Sequence, residues 1–547
     1  MSTTVDHKKE QKKKKKSGSG AEDKNQSFRT SRVKIRTLFI VVALVIEIAI
    51  LLAIIIVPFI DRSLFWLSII YFVLEIGAIL VAIPIINSRM DPSYKVVWLA
   101  FMVINSVVGA LFYLLFANKK FSKKEKNKNA PVIKALNAAM NSSESNGVSH
   151  RLQPERDGEI YNLANYIRKY SFTDTYTNTR TTYYPWGEKA FPVMLEKLKS
   201  AKHYIFMEYF IIDQGLFWNS ILDILLEKVK QGVEVRVIYD DLGSLSTLPE
   251  GYDQYLNSVG IKCYRYSPLK PVMDIRMNNR DHRKIMVIDG HTGFTGGINI
   301  ADEYINEIVR FGKWKDNAIM LEGDGVFGLT NLFLSTWIRI TNEPTPDFKQ
   351  YLPARYATET EPVRAKGYVS VYGSIPYTYE TVGLNIYEML CYEAQKTLDI
   401  ATPYLILNKE MENAICNAAK RGVRVRLLTP HVPDKKTVFE LTRANYRMLL
   451  RSGVEIYEYT PGFVHAKMFV VDNRIATVGT INLDYRSLFL HQENGCLLYE
   501  TDSIKAVAED FEETFKVSEQ FYLEKYNATP KSKRLLRTIL KIFAPLM

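Results

Sequence analysis

The chain has 547 residues, with 71 Lys and Arg against 59 Asp and Glu, a net charge of +12, and 47% hydrophobic and 12% aromatic residues. This apolar content excludes wholesale disorder, and the length points to two or three domains rather than one. The positive charge is local: residues 1–36 carry +8, residues 119–128 carry +5 and residues 531–541 carry +5, which leaves the rest at −6 and argues against a nucleic-acid-binding face.

Residues 1–36 include KKEQKKKKKSGSG, a low-complexity basic head that reads as a disordered tether drawn to anionic lipid. Three apolar runs follow at 38–60, 64–86 and 96–117, interrupted only by Glu47, Glu75 and Asn105 respectively. Each is about 22 residues, or roughly 33 Å of helix, enough to cross a hydrocarbon core of roughly 30 Å. The first run starts too late and is too long for a cleaved signal peptide. Basic clusters flank the set on both sides, at 8–16 and 29–36 before it and at 119–128 after it. An odd number of crossings cannot put both on the same side, so two or three spans are expected and the side of the following domain stays open.

Residues 119–182 read as a juxtamembrane linker. The first folded half is expected over 183–343: a strand-like run at 204–212 (YIFMEYFII), helical periodicity at 216–230, Gly232 as the stop, and a second strand at 233–239 (VEVRVIY). Residues 344–374 read as a second linker, and 375–528 as the second half. There the order recurs, with a strand at 398–406, a helix at 409–420, Gly422, and a strand at 423–428 (VRVRLL). KQGVEVRV and KRGVRVRL occupy the same place in each. Strand, helix, strand with short turns is a βαβ unit with parallel strands under helices, so the fold class is α/β, a duplicated αβα sandwich behind membrane helices.

Each half continues with one motif: HRKIMVIDGHTGFTGGIN at 282–299 and HAKMFVVDNRIATVGTIN at 465–482. The shared positions are His282, Lys284, Asp289, Gly296, Gly297 and Asn299 in the first, and His465, Lys467, Asp472, Gly479, Thr480 and Asn482 in the second. A permissive H-x-[KR]-x4-[DE] pattern is expected only roughly 0.1 times in such a chain, so two copies in register mark a duplicated site. Residues 529–547 form a tail in which five Lys and Arg alternate with Leu, Ile and Phe, suited to a short helix at an anionic membrane surface. The four cysteines form no CxxC pair and the eight histidines no HExxH pattern, so free thiols and no metal are expected.

The residue types suit a phosphate. On a strand opened by each motif, His and Lys two apart project to one face. A Lys ammonium and an Asn amide offer positive charge and donors to non-bridging oxygens. One imidazole attacks phosphorus while the other protonates the leaving oxygen; the roles then reverse, and no metal is needed.

The paired H-x-K-x4-D-x6-G-[GST]-x-N motifs resemble the phospholipase D superfamily. With SRMDPSYKVVWLAF before the last apolar run, WGEKAF near the start of the first half and the basic apolar tail, residues 64–547 are similar to bacterial cardiolipin synthases. That resemblance implies two halves sharing one active site and a multi-pass protein of the bacterial cell membrane acting in phospholipid biosynthesis. It implies a transferase that joins two phosphatidylglycerol molecules into cardiolipin and releases glycerol, with no cofactor. His282 would be the nucleophile and His465 the acid and base. Lys284, Lys467, Asn299 and Asn482 would hold the phosphate, and Asp289 and Asp472 would complete the motifs from a structural position.

Glu493, 28 residues after His465, stands where the superfamily keeps a carboxylate that orients the histidine. The residue 28 after His282 is Arg310, so Asp316 in WKD takes that part if the first half carries a six-residue insertion at 305–313. Two further readings use the same motifs: a hydrolase making phosphatidic acid, and a non-catalytic membrane scaffold.

Overall fold

The computed structural model describes residues 65–88, 90–117, 123–142, 145–269, 278–341, 343–356, 363–375 and 380–546. The basic head and the apolar run at 38–60 lie outside the described residues. The chain divides into two compact units, one containing Trp98–Phe112 and the stretch up to Arg89, the other Met90–Val97 and Tyr113–Met547.

In the first unit, helix Phe65–Ile86 is the one helix among the described residues long and apolar enough to cross a membrane, with a mean hydropathy of 2.6 over Ile69–Ile86. The expected span at 96–117 is not one helix. It divides into Pro92–Ile104, Ser106–Phe112 and a π-helical turn at Tyr113–Ala117. Asn105 makes the break, because its Oδ1 accepts the Val108 N–H at 3.0 Å and so caps the second helix.

The second unit is built from two sheets. The seven-stranded sheet runs, by hydrogen-bonded neighbours, Thr179–Tyr184, Ala318–Gly323, Thr292–Gly296, Lys284–Ile288, Tyr204–Tyr209, Glu234–Asp240 and Lys262–Tyr266. The nine-stranded sheet repeats that order with Tyr368–Ser374, Glu493–Tyr499, Ile475–Gly479, Met468–Val471, Thr397–Ala401, Arg424–Pro430 and Glu455–Tyr459. It adds Thr175–Tyr176 at one edge and Ser518–Phe521 at the other. The βαβ strands are parallel as expected, but both sheets are mixed, since the motif strands and those beyond them pair antiparallel.

Alternation along the strands explains the layering. Tyr204 and Phe206, with Ile285 and Val287, face a core that also holds Met468, Val470, Ala476 and Val478 of the other half. Ile205, Met207, Met286 and Ile288 point the other way, onto helices Gly187–Lys199 and Leu216–Lys230. Phe469 and Val471 likewise face helices Val382–Glu393 and Lys409–Lys420. The two sheets therefore share one central core, wedged by helices Val326–Thr341 and Ser503–Lys516.

The described residues of the stretches read as linkers are structured. Those of 119–182 supply helix Lys123–Met140 to the central core, helix Pro154–Tyr170 to the second half, and most of the edge strand Thr179–Tyr184. Residues 344–374 end in strand Tyr368–Ser374, its counterpart in the other sheet. Half-exposed TRTTYY lacks the apolar signal of a central strand.

Candidate active site

The motif strands begin at Lys284 and Met468, so His282 and His465 sit just ahead of them rather than within them. Each is held there by backbone of the other half. The His282 N–H donates to the Gln492 carbonyl at 2.9 Å, beside a bridge between Asp281 and Gln492; the His465 N–H donates to the Lys315 carbonyl at 2.7 Å. Strand Lys313–Lys315 runs parallel to Gly462–Val464, which delivers Asp316 beside His465. The insertion read at 305–313 follows the 3-10 turn Asp302–Ile305 and forms a loop, in which Arg310 pairs with Glu303 at 2.8 Å, and the start of this strand.

The orienting carboxylates are exchanged between halves. Nδ1 of His282 lies 2.9 Å from both oxygens of Glu493, and Nδ1 of His465 lies 2.7 Å from Oδ2 of Asp316. Burial by itself would raise Glu493, but its electrostatic interaction and hydrogen bond with His282 hold that carboxyl below its usual range. Asp316 is lowered in the same sense, its burial outweighed by His465 and Lys467. An ionised carboxylate only accepts, so each Nδ1 carries the proton and each Nε2 keeps its lone pair. Burial pushes His282 down to about 3 and His465 to about 4, which leaves both imidazoles neutral near pH 7.

The fifth motif position differs between halves for a steric reason. A Cβ on Gly297 would fall on Asp316 Oδ1, so the first half needs glycine there. Thr480 instead donates its hydroxyl to Glu493 Oε2 at 2.5 Å. The acid is followed by Asn in both halves, and both amides reach across the interface. Asn494 Nδ2 donates to Thr295 Oγ1 at 2.7 Å; Asn317 Nδ2 lies 3.1 Å from Met468 Sδ and from Tyr183 Oη. The paired acid–Asn dipeptides, visible when DNAIMLE is set against ENGCLLY, were the signal for these two residues.

Lys284 and Lys467 are 1% exposed, and burial lowers them to about 8 and about 7. Lys284 Nζ donates to the His282 carbonyl at 2.7 Å. Lys467 Nζ bonds the His465 carbonyl and also lies 2.8 Å from His465 Nδ1 and 3.0 Å from Nε2. Asn299 is committed within its half: Oδ1 accepts the Ile211 N–H at 3.2 Å and Nδ2 donates to Tyr304 Oη at 2.7 Å. Asn482 is buried with Oδ1 lacking a hydrogen-bond partner.

Asp289 and Asp472 do not join the site. They lie beyond the far ends of the motif strands, in the left-handed region with φ of 52° and 51°. Each carboxylate accepts three successive backbone N–H groups: Lys202, His203 and Tyr204 for Asp289, and Gln395, Lys396 and Thr397 for Asp472. They fix the entry to the strand beside the motif strand rather than touching the reacting groups.

Aromatic residues wall the site, a feature that the motif spacing did not reveal. Phe210 packs edge-on to His282 at 5.0 Å between centroids, and Tyr304 and Trp314 lie 5.5 and 5.6 Å from His465. Among the described residues, one group could hold a metal by proximity: His282, His491 and Glu493 have ligand atoms within 4.8 Å of one another. Glu493 there already serves His282 and Thr480, so the set is spent on orienting the imidazole.

Two pseudo-symmetric halves, each lending a carboxylate to the histidine of the other, define a phospholipase D-like catalytic domain. The family model described as cardiolipin synthase, PLD-like domain, matches residues 194–309 and 389–515, and a phospholipase D-nuclease N-terminal model matches 76–118. An uncharacterized protein of Streptococcus mutans is 42% identical over 465 residues, covering 85% of this chain and 98% of that one. Cardiolipin synthase 2 of Bacillus anthracis is 34% identical over 86% of this chain and 90% of its own length. Cardiolipin synthase of Geobacillus kaustophilus is 32% identical over 86% and 92%. A phosphatidylserine synthase from Haemophilus influenzae shares the fold, with a TM-score of 0.52 at 18% identity over 67% of this chain and 95% of that one. The chain belongs to the cardiolipin synthase family.

Proposed function

We propose that the protein is a membrane-associated cardiolipin synthase that transfers a phosphatidyl group from one phosphatidylglycerol to another. The observation that carries this reading is the pair of neutral, carboxylate-oriented histidines in one buried site, in a chain whose named relatives are cardiolipin synthases. His282 Nε2 attacks phosphorus, and the bond to the glycerol oxygen breaks as His465 protonates it. The terminal hydroxyl of a second phosphatidylglycerol then gives its proton to His465 and displaces His282, so cardiolipin and glycerol leave and both imidazoles return to their starting state.

The assignment of His282 as nucleophile has one local support. Both lysines bond the carbonyl of their own histidine, but Lys467 Nζ also sits against the ring of His465, 2.8 Å from Nδ1 and 3.0 Å from Nε2, where the contact of Lys284 with His282 is to the carbonyl. His465 is neutral in the free protein and takes up a proton from solvent at Nε2 when a phosphodiester enters, because the anion offsets the lysine charge that, with burial, holds this imidazole neutral; this protonated form is the one the cycle starts from and returns to. Lys284 and Lys467 take up the non-bridging oxygens, with Asn482 as a further donor.

Helix Phe65–Ile86 would anchor the chain, and two or three crossings in all would keep the catalytic unit at the lipid. The hydrolytic reading is the less favoured, since the named relatives are synthases. Feeding labelled phosphatidylglycerol to the purified protein tests the proposal: cardiolipin and glycerol in equal amounts support it, and phosphatidic acid alone overturns it.

A further inference from the structure

Helix Lys531–Phe543 is amphipathic, but it is mounted the opposite way from a helix that packs on its own protein. Arg537 is turned inward, 3% exposed with Nε 2.8 Å from Glu440, while Lys533 and Lys541 flank it about half exposed, 3.7 Å from Glu440 and 3.9 Å from Glu412. The opposite face is apolar and bare: Leu535 is 62% exposed, Leu536 and Ile542 47%, and Ile539 45%. An apolar stripe of this kind, rimmed by charge, marks a surface meant for another apolar phase.

The chain itself indicates which phase. Just past the helix, Ala544 is buried in a small cluster with Tyr94, Ile406, Leu441 and Tyr485, against which Met90 and Leu540 also pack. Tyr94 stacks edge-on against Tyr485 at 5.7 Å, and Tyr485 Oη bonds Ser93 Oγ at 2.8 Å. Met90 is only four residues beyond Ile86, the last residue of the apolar helix that meets the membrane criteria. The tail helix is thus packed on the segment through which the chain passes into its apolar helices.

We propose that the outer face of Lys531–Phe543 is an interfacial foot that inserts Leu535, Leu536, Ile539 and Ile542 among lipid acyl chains. Arg537 serves as a strut to Glu440, and the half-exposed Lys533 and Lys541 rim the foot. Composition alone reads the tail as an electrostatic grip; the bare apolar face makes it a hydrophobic one as well, and its attachment therefore persists in salt that screens the rim charges. The foot stands whether or not the transfer reaction proposed above is correct.

The four native cysteines are buried, so a cysteine introduced at Ile539 takes a fluorophore selectively. In proteoliposomes of phosphatidylglycerol and phosphatidylcholine, lipids carrying a quencher in the acyl chain should quench I539C several-fold more than a label at Glu509→Cys, in 0.1 M and 1 M salt alike. Quenching no greater than at the reference position, or abolished by salt, overturns the proposal. Shielding without lipid quenching, accompanied by energy transfer between labelled copies, also overturns it and assigns the face to a second copy of the chain. As a second variant, L535E/I539E should lose about tenfold of its turnover on vesicles while keeping turnover of a short-chain, water-soluble substrate. Equal turnover of both would contradict the foot.

Discussion

Asp316 lies in the first half of the duplication, yet the histidine it holds, at 2.7 Å, is His465 of the second. Glu493 returns the arrangement to His282. Neither half contains a correctly oriented histidine by itself, which gives a physical reason for the two to remain in one chain around one core.

Replacing either acid by its amide keeps the shape and removes the charge that fixes the tautomer. Asp316→Asn and Glu493→Gln should each lower kcat by about 10³- to 10⁴-fold with little change in KM. Steady-state kinetics on labelled phosphatidylglycerol measures both, and a loss confined to KM would show that these carboxylates bind substrate instead.

Gly297 makes a sharper steric prediction. Its Cβ would sit on Asp316 Oδ1, so Gly297→Ala should push Asp316 off His465 and cost at least about 10²-fold in kcat, with the fold retained by circular dichroism. Thr480→Ser, which keeps the hydroxyl on Glu493, should be near wild type, whereas Thr480→Val should lose about tenfold.

Buried Lys315, whose carbonyl receives the His465 N–H, pairs through Nζ with Asp510 Oδ2 at 2.7 Å. Asp510→Ala strands that ammonium and should destabilise the second unit by about 3–5 kcal/mol, read as a large drop in Tm. Lys315→Met/Asp510→Leu, which removes both charges, should recover most of the loss.

Acid should loosen the free protein in a defined window. His282 and His465 have folded pKa values of about 3 and about 4, below the unfolded value of about 6.5, so between these limits the unfolded chain binds more protons. Stability therefore falls as the pH drops from about 6.5 towards 4. The lowered carboxyl of Glu493 acts in the same direction below its unfolded value. Tm measured from pH 7 to 4 should decline, and His465→Gln should flatten part of that slope.

The duplication, the two motifs and the βαβ units could be read directly, because a repeated H-x-K-x4-D and the glycines ending each helix are local patterns. What escaped was non-local. The histidine–carboxylate contacts span 149 and 211 residues, and no spacing encodes which half a side chain turns towards. Most of Thr179–Tyr184 and all of Tyr368–Ser374 fell in stretches read as linker because one is a polar, half-exposed edge strand and the other is separated from its sheet partners in sequence. Asn105 was read as an interruption within a span, but its side chain caps a new helix. In the tail, composition revealed the amphipathic stripe but not that Arg537 turns inward onto Glu440.

The central claim is that one histidine carries the phosphatidyl group between two lipids. Rapid acid-free quenching of the protein with phosphatidylglycerol labelled in the phosphate, followed by peptide mapping, tests it most directly. The account predicts a base-stable, acid-labile label on His282, discharged to cardiolipin when unlabelled phosphatidylglycerol is added and absent from His282→Ala, which makes no product. Label on His465, or cardiolipin synthesis by His282→Ala, would contradict it.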